Sequence, residues 1–311
     1  MDVPHGARRR SVLSVPATDT AMMARGLVSG ADTVFFDLED SVPDGLKDRA
    51  RANAIEMAPA KPPGTSLGMR INAWSTRWCY RDLVEVFEAV GDHFDYVVVP
   101  KADSPADVTG VAGLLGQIEQ ATGLAGRTLI EPIIESGAGL LAVRDIIASS
   151  PRVFSVVFAP EGLDFAADMH FLDGVDMDYL NATAIAPLAA ARAAGVSLVD
   201  GPYVALYDLD GLRRTASARF RMGFDGKWAI HPGQIPVLNE CFTPPAALVS
   251  KAERTIAAFA DAAGAGRGAT VVEETMVDVA SDRVARVTLG RSARVTDAAD
   301  PVPSGQRGSQ P

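Results

Sequence analysis

The chain has 311 residues, 48% of them hydrophobic and 22% charged, and a formal net charge of −10 at pH 7, which allows one large core or two small ones. Its acidity argues against a non-specific nucleic-acid binder but not against a small anionic substrate, which answers only to the local field of its pocket. Cys79 and Cys241 are too few for a disulfide framework and lack metal-ligand spacing, no apolar run approaches the ~18 residues of a membrane span, and no signal-like apolar region follows the basic start, Met1 to Arg10. A protein of the reducing cytoplasm, without membrane or nucleic-acid partner, is expected. Along the chain, short Val/Ile/Phe-rich runs alternate with Ala/Leu/Arg segments of helical period. Strands are expected at 11–16, 33–38, 67–72, 96–100, 128–134, 153–159, 197–200 and 226–231, and helices at 20–29, 46–58, 81–90, 105–122, 138–149, 183–194, 209–222 and 246–263. Eight strand-helix units in about 250 residues match a closed (β/α)8 TIM barrel better than an open doubly wound sheet. An open sheet would usually carry a glycine-rich turn after its first strand, and Pro16-Ala-Thr-Asp-Thr20 is not one.

The barrel is thus expected over residues 10–263. Gly264-Ala-Gly-Arg-Gly268 reads as a hinge, and the segment after it, with a strand-like start and then a helix, as an extension reaching about residue 295. Residues 296–311, rich in Pro, Gly, Ser, Asp and Gln, read as a disordered tail.

Ionisable groups gather where the strands end. Glu135 closes the apolar run Leu129-Ile-Glu-Pro-Ile-Ile-Glu135, and Asp164 follows the next strand. A charge in such a place is costly unless paired, hydrogen-bonded or metal-bound, so the two acids are either capped or bridged, or they hold an ion. Asp37, Glu39, Asp40, Arg70, Asn72, Lys101, Asp200 and His231 stand at the other strand ends. Seven consecutive strand ends would bring these groups to one mouth of a closed barrel.

These residues resemble a known family. The segments Arg10-Ser-Val-Leu-Ser-Val-Pro16, Asp37-Leu-Glu-Asp-Ser-Val42, Met69-Arg-Ile-Asn72, Val99-Pro-Lys101, Ile133-Ile-Glu-Ser136, Asp164-Phe-Ala-Ala-Asp168 and Gly226-Lys-Trp-Ala-Ile-His-Pro232 are similar to the HpcH/HpaI aldolase/citrate lyase superfamily over residues 10–290. Trp78-Cys-Tyr-Arg-Asp82, Val199-Asp-Gly-Pro202, Gly268-Ala-Thr-Val271 and Met276-Val-Asp-Val-Ala-Ser281 look most like its malyl-CoA/β-methylmalyl-CoA lyases, with citrate lyase β-subunits and citramalyl-CoA lyases close behind.

The resemblance implies Mg²⁺, with Mn²⁺ as a substitute, held by Glu135 and Asp164 and by the substrate. Mg²⁺ commonly takes one or two protein carboxylates and leaves positions open. It implies cleavage of a 3-hydroxyacyl-CoA into a 2-oxo acid and an acyl-CoA, with Arg70 donating to the thioester oxygen, Ile230 and His231 beside the substrate, and Asp37, Glu39, Asp40 and Lys101 supporting the site. Asp278 matches the family's catalytic aspartate on a C-terminal lid that comes from a neighbouring subunit, so a homo-oligomer, a trimer or hexamer, is implied. Taken alone, Asp278 reads as a surface or capping acid, and His231 and Arg70 equally admit structural roles.

The sequence also departs from the family. The turn Phe158-Ala-Pro-Glu-Gly-Leu-Asp164 is slightly longer than usual, making Glu161 an alternative second ligand, and Glu273-Glu-Thr275 replaces a basic, glycine-containing run. Of three positions that grip the nucleotide end of CoA, Ser14 and Asp19 lose the family's residue type and only Arg25 keeps its charge; Arg8, Arg9 and Arg10 could compensate. Lys101 and Lys227 raise a rival Schiff-base route. The alternatives to an acyl-CoA lyase are a metal-dependent aldolase or hydrolase acting on a non-CoA hydroxy acid, and a citrate lyase β-like subunit that needs an acyl-carrier partner.

Overall fold

The computed structural model describes every residue except 1–7, 125, 127, 172–176 and 297–311, so the expected tail, apart from Thr296, lies outside the described residues. The chain divides into two compact units, one of Arg9–Phe242 and one that takes in the chain from Thr243 onward.

The first unit is a closed, all-parallel barrel of eight strands in sequence order: β1 Ser11–Pro16, β2 Thr33–Asp37, β3 Ser66–Arg70, β4 Tyr96–Val99, β5 Leu129–Ile134, β6 Ser155–Phe158, β7 Ser197–Asp200 and β8 Gly226–Ala229. The helices between them are α1 Thr20–Leu27, α2 Lys47–Met57, α3 Cys79–Val90, α4 Pro105–Thr122, α5 Gly137–Ala148, α6 Leu163–Asp168, α7 Met177–Thr183, α8 Ile185–Ala194 and α9 Leu209–Met222, with α10 Ile235–Cys241 after β8. The expected TIM barrel is therefore present, and its strands fall within two or three residues of the expected bounds. Two differences matter. Among the described residues the β6–β7 connection holds three helices rather than one, and the helix expected to close the barrel at 246–263 falls in the second compact unit.

Strand alternation sorts side chains into two layers. Val12, Phe35, Tyr96, Val98, Ile133, Val157, Val199 and Trp228 fill the barrel interior, whereas Val34, Phe36, Val97, Val99, Ile134, Val156 and Leu198 face the helices. The inward series carries charge at both ends. At the N-terminal end Arg9 meets Glu131 at 2.5 Å, both nearly solvent-free, and its guanidinium lies 5.1 Å from the Tyr96 ring centroid and 4.8 Å from that of Phe154. At the other end the same parity turns Asp37, Arg70 and Glu135 inward.

The second unit comprises α11 Ala246–Gly264, an antiparallel hairpin of β9 Thr270–Val272 and β10 Thr275–Val277, and α12 Val279–Thr296. Glu273 and Glu274, at φ 47° and 64°, form its two-residue turn, where glycine or asparagine is usual. No helix among the described residues is long and apolar enough to cross a membrane.

The interior packing makes a prediction. A Cβ on Gly68 would lie 2.3 Å from the Tyr96 ring, and that ring is hemmed in by Arg9 and Phe154. Gly68→Ala should therefore cost about 1–3 kcal/mol, read from the denaturant midpoint. An unchanged midpoint would show that the interior has slack.

Candidate active site

The site begins with a charge pair across two neighbouring strands. Asp37 ends β2 and stands in register with Arg70 at the end of β3. Arg70 Nε and Nη2 donate to the two Asp37 oxygens, each at 2.7 Å. Asp37 also accepts from the Glu39 amide at 2.9 Å and from the Ser41 hydroxyl at 2.5 Å. Burial alone would raise the Asp37 pKa, but Arg70 and these donors hold it below the usual carboxylate value. Burial works against the Arg70 charge too, and Asp37, Glu39 and Asp40 outweigh it, so the guanidinium is held firmly protonated. The bidentate pair uses two of its five donors. Nη1 lies 3.1 Å from Glu39 and 3.7 Å from Asp40, and the group sits 5.6 Å from the Trp228 ring centroid.

Lys101 reaches across from the end of β4. Its Nζ donates to Glu39 at 2.7 Å and to Asp40 at 3.1 Å. Its backbone adopts φ 51°, a left-handed conformation that costs a non-glycine residue roughly 1–2 kcal/mol, and its amide donates to Glu135 Oε1 at 2.7 Å. The local strain is thus spent at the position that meets Glu135.

Glu135 is buried, and its pKa is pushed up to about 8, first by burial, then by the charge of Glu39, against the pull of Arg70 and the Lys101 amide; Asp164 adds to the rise. Asp164 is exposed on the first turn of α6 rather than at the strand end itself, and its charge is felt at Glu135. A carboxylate that burial and two acidic neighbours discourage from ionising suits a divalent cation, which would relieve all three effects. Among the described residues no set of three or more His, Cys, Asp and Glu side chains is arranged to hold an ion. Glu135 and Asp164 are the two carboxylates here that could hold an ion.

Glu161 and Asp200 take no part in this mouth. Val199 and Trp228 point inward, so Asp200 and Lys227 beside them point to the helix layer, where Lys227 Nζ meets Asp200 at 2.5 Å and Arg219 of α9 approaches it at 3.3 Å. Glu161 joins them, 3.5 Å from Lys227 and 3.8 Å from Arg219. The expected convergence of seven strand ends therefore loses Asp200, and Asn72 is also structural, its amide donating to Asp82 at 2.6 Å. Glu161 is engaged with cations rather than free to bind one. The Schiff-base route fares no better. Lys101 has its pKa raised by Glu39 and Asp40 against the effect of burial, the opposite of what a neutral amine needs, and the fully buried Lys227 is held between carboxylates.

Other expected residues are placed as follows. His231 caps a short 3₁₀ turn, its Nδ1 accepting from the Gly233 amide at 3.1 Å. Ile230 is exposed, and its amide donates to Gln234 at 2.9 Å. Arg25 is exposed in the last turn of α1. Asp19 caps that helix by accepting from the Ala21 and Met22 amides at 2.8 and 3.0 Å, and Ser14 lies within β1. Arg9 and Arg10 cannot compensate at a nucleotide, since they are committed to Glu131 and Asp32. Asp278, in the second unit, accepts from the Ala280 and Ser281 amides, each at 3.0 Å, and from the Ser281 hydroxyl at 3.1 Å. Those Ser281 bonds, before all else, hold its pKa below the usual value.

Comparison with known proteins accords with this architecture. Residues 10–232 match the HpcH/HpaI aldolase/citrate lyase family model. A protein named L-malyl-CoA/beta-methylmalyl-CoA lyase from Cereibacter sphaeroides is 35% identical over 311 aligned positions, covering 94% of this chain and 97% of the relative. Its namesake from Rhodobacter capsulatus is 37% identical over 298, covering 90% and 93%. A (3S)-malyl-CoA thioesterase from Cereibacter sphaeroides is 33% identical over 287 positions, covering 92% and 95%. Among solved structures, Mycobacterium tuberculosis CitE in complex with magnesium, acetoacetate and coenzyme A superposes with a TM-score of 0.76 at 26% identity, covering 94% of this chain and all of that one. The chain is a lyase that belongs to the HpcH/HpaI aldolase/citrate lyase family.

Proposed function

We propose that the protein cleaves a 3-hydroxyacyl-CoA of malyl-CoA, β-methylmalyl-CoA or citramalyl-CoA type to a 2-oxo acid and an acyl-CoA, with Mg²⁺ held by Glu135 and Asp164. The observation that carries this reading is the buried Glu135, raised to about 8 beside Asp164 and Glu39, within the field of an arginine that Asp37 fixes in place. The names of the lyase relatives support the substrate class, and the CitE complex supports both ion and CoA. When bound, the ion would supply Lewis acidity at the carbonyl oxygen that forms as the bond breaks.

The chain's own residues would do the rest. Asp278 takes the proton of the hydroxyl group, the C–O bond becomes a carbonyl, and the adjacent carbon–carbon bond breaks with its electron pair moving into the thioester. Arg70 donates hydrogen bonds to the thioester oxygen, where the enolate charge collects. A proton delivered to the α-carbon completes the acyl-CoA. Ile230 and His231 would line the substrate, while Asp37, Glu39, Asp40 and Lys101 hold Arg70 and Glu135 in position. Asp278 must exchange its bonds to Ser281 before it acts as a base. Its segment is proposed to serve a neighbouring copy in a homo-oligomeric, cytoplasmic enzyme. With Asp19 used as a cap, CoA would rely on Arg25 and on contacts unlike the family's.

A second reading, hydrolysis of the thioester, is favoured by the relative named as a thioesterase. Product analysis separates the two: with malyl-CoA and Mg²⁺, lyase action gives glyoxylate and acetyl-CoA, and hydrolysis gives malate and free CoA. Glyoxylate release that EDTA and Glu135→Ala both abolish is the expected result, and free CoA without glyoxylate would replace the lyase with a thioesterase. Arg70→Lys should lower kcat by about 10²–10³, the usual loss on removing one donor to a developing oxyanion, with a smaller change in KM. An unchanged kcat would leave Arg70 a purely structural ion pair. Glu135 also sets a pH dependence. Its folded pKa is raised, so its contribution to stability is present below about 4.5, the usual glutamate value, and is lost as pH rises through about 8. In EDTA at pH 8.5, Glu135→Gln should therefore melt higher than wild type, while Mg²⁺ should raise only the wild-type Tm. A variant that melts lower in EDTA and is still stabilised by Mg²⁺ would show that Glu135 neither bears this burden nor binds the ion.

A further inference from the structure

We infer that Asp168 and Glu161 are positioning residues that clamp the short helix carrying Asp164 from both ends and so fix Asp164 relative to Glu135. The inference rests on the reading of Glu135 and Asp164 as the ion-holding pair. Helix α6 has six residues, and its N-cap is Gly162, which has no side chain to offer its free amides. Such a helix is too short to persist by itself, so its pose must come from tertiary contacts.

Three contacts supply it. In the middle, Phe165 is fully buried, with ring centroids 5.4 Å from Phe158 and 6.0 Å from Phe171, which sets the helix rotation and leaves Asp164 on the exposed side. At the C-terminal end, Asp168 Oδ2 accepts from the Gly137 amide at 2.6 Å. Gly137 opens α5, two residues after Glu135, so this bond links the two carboxylates through a few residues of backbone. It is not needed as a cap for α5, because Ser136 already accepts from the Gly139 amide at 2.9 Å. The approach is close: a Cβ on Gly137 would lie 3.2 Å from Met169 Sδ and 3.4 Å from Asp168 Oδ2.

At the N-terminal end, the Gly162 amide donates to Ala159 at 3.0 Å and closes a tight turn. Glu161, within that turn, reaches the fully buried Lys227 and Arg219. Its carboxylate stands in the helix layer with two buried cations that it shares with Asp200. The slightly longer turn before Asp164 therefore acts as a strap rather than as a source of a ligand.

Mn²⁺ binding to the full chain, followed by loss of the EPR signal of free Mn²⁺, tests the clamp. Loss of a group that orients a metal ligand typically costs 10–100-fold in affinity, so Asp168→Ala and Glu161→Gln should each raise the Mn²⁺ Kd about tenfold while keeping one site per chain. Asp168→Asn should recover most of that loss, since its amide oxygen can still accept from Gly137. Glu88→Gln, on the exposed face of α3, should leave the Kd unchanged, and Glu135→Ala should abolish binding. A wild-type Kd in either clamp variant overturns the inference, as does a reduced site count at unchanged Kd, which marks mere misfolding. Glu161→Gln binding as poorly as Glu135→Ala would make Glu161 a ligand and also overturn it. Wild-type protein that takes up no Mn²⁺ would instead remove the ion-holding pair itself.

Discussion

A guanidinium inside a barrel must be neutralised, and the pairing of Arg70 with Asp37 is the constraint from which the rest of the mouth follows. Their positions in register on β2 and β3 bring a flat donor pair onto two carboxylate oxygens, a geometry that only arginine supplies. Once that pair is made, Arg70 cannot swing towards solvent. Its Nη1 side is committed to face Glu39 and Asp40, and Lys101 is drawn across to the same two acids. The left-handed turn at Lys101 then aims an amide at Glu135. One ion pair between adjacent strands thus orders groups contributed by β2, β3, β4 and β5.

The mouth nonetheless carries more acid than base. Asp37, Glu39, Asp40, Glu135 and Asp164 face Arg70 and Lys101, and around the buried Asp37, Glu39, Arg70 and Glu135 water screens the difference poorly. The protein meets this by lowering Asp37 through full hydrogen bonding and by letting Glu135 rise. Two carboxylates in one cleft thereby receive opposite treatment, one locked in its charged form and the other left able to gain or lose a proton, or to exchange it for a metal ion.

Much of this could be read from the sequence because strands and helices alternate cleanly and buried parallel strands are short apolar runs. The strand-end residues Asp37, Arg70, Lys101 and Glu135 were legible for the same reason. Legibility failed where side-chain direction depends on parity or on packing between distant elements. Asp200 ends its strand like Asp37 but sits one step out of phase, beside the inward Val199, and so joins the helix layer. Arg9 reads in the sequence as one of a basic cluster that could compensate at a nucleotide, yet it seals the far end of the barrel with Glu131, an acid whose place in an apolar run was the available signal. Asp168 stood out only as the end of a family-like segment, and its partner was not legible, being a backbone amide 31 positions away. The helix at Ala246–Gly264 has the right period for a barrel layer, and only its long-range packing assigns it to the second unit.

Asp19 carries a consequence for how this chain can change. Its carboxylate holds the first turn of α1 by accepting two amides, a role that typically contributes about 1 kcal/mol to a helix. A cation at the same position could attract a phosphate but could not accept those amides, and its charge would oppose the helix dipole. The two uses of the position exclude each other. An ancestor that gripped its ligand there, or a descendant that regains such a grip, must cross a state in which α1 frays unless Thr20 or another neighbour takes over the cap first, so binding at this edge is linked to the order in which substitutions are accepted.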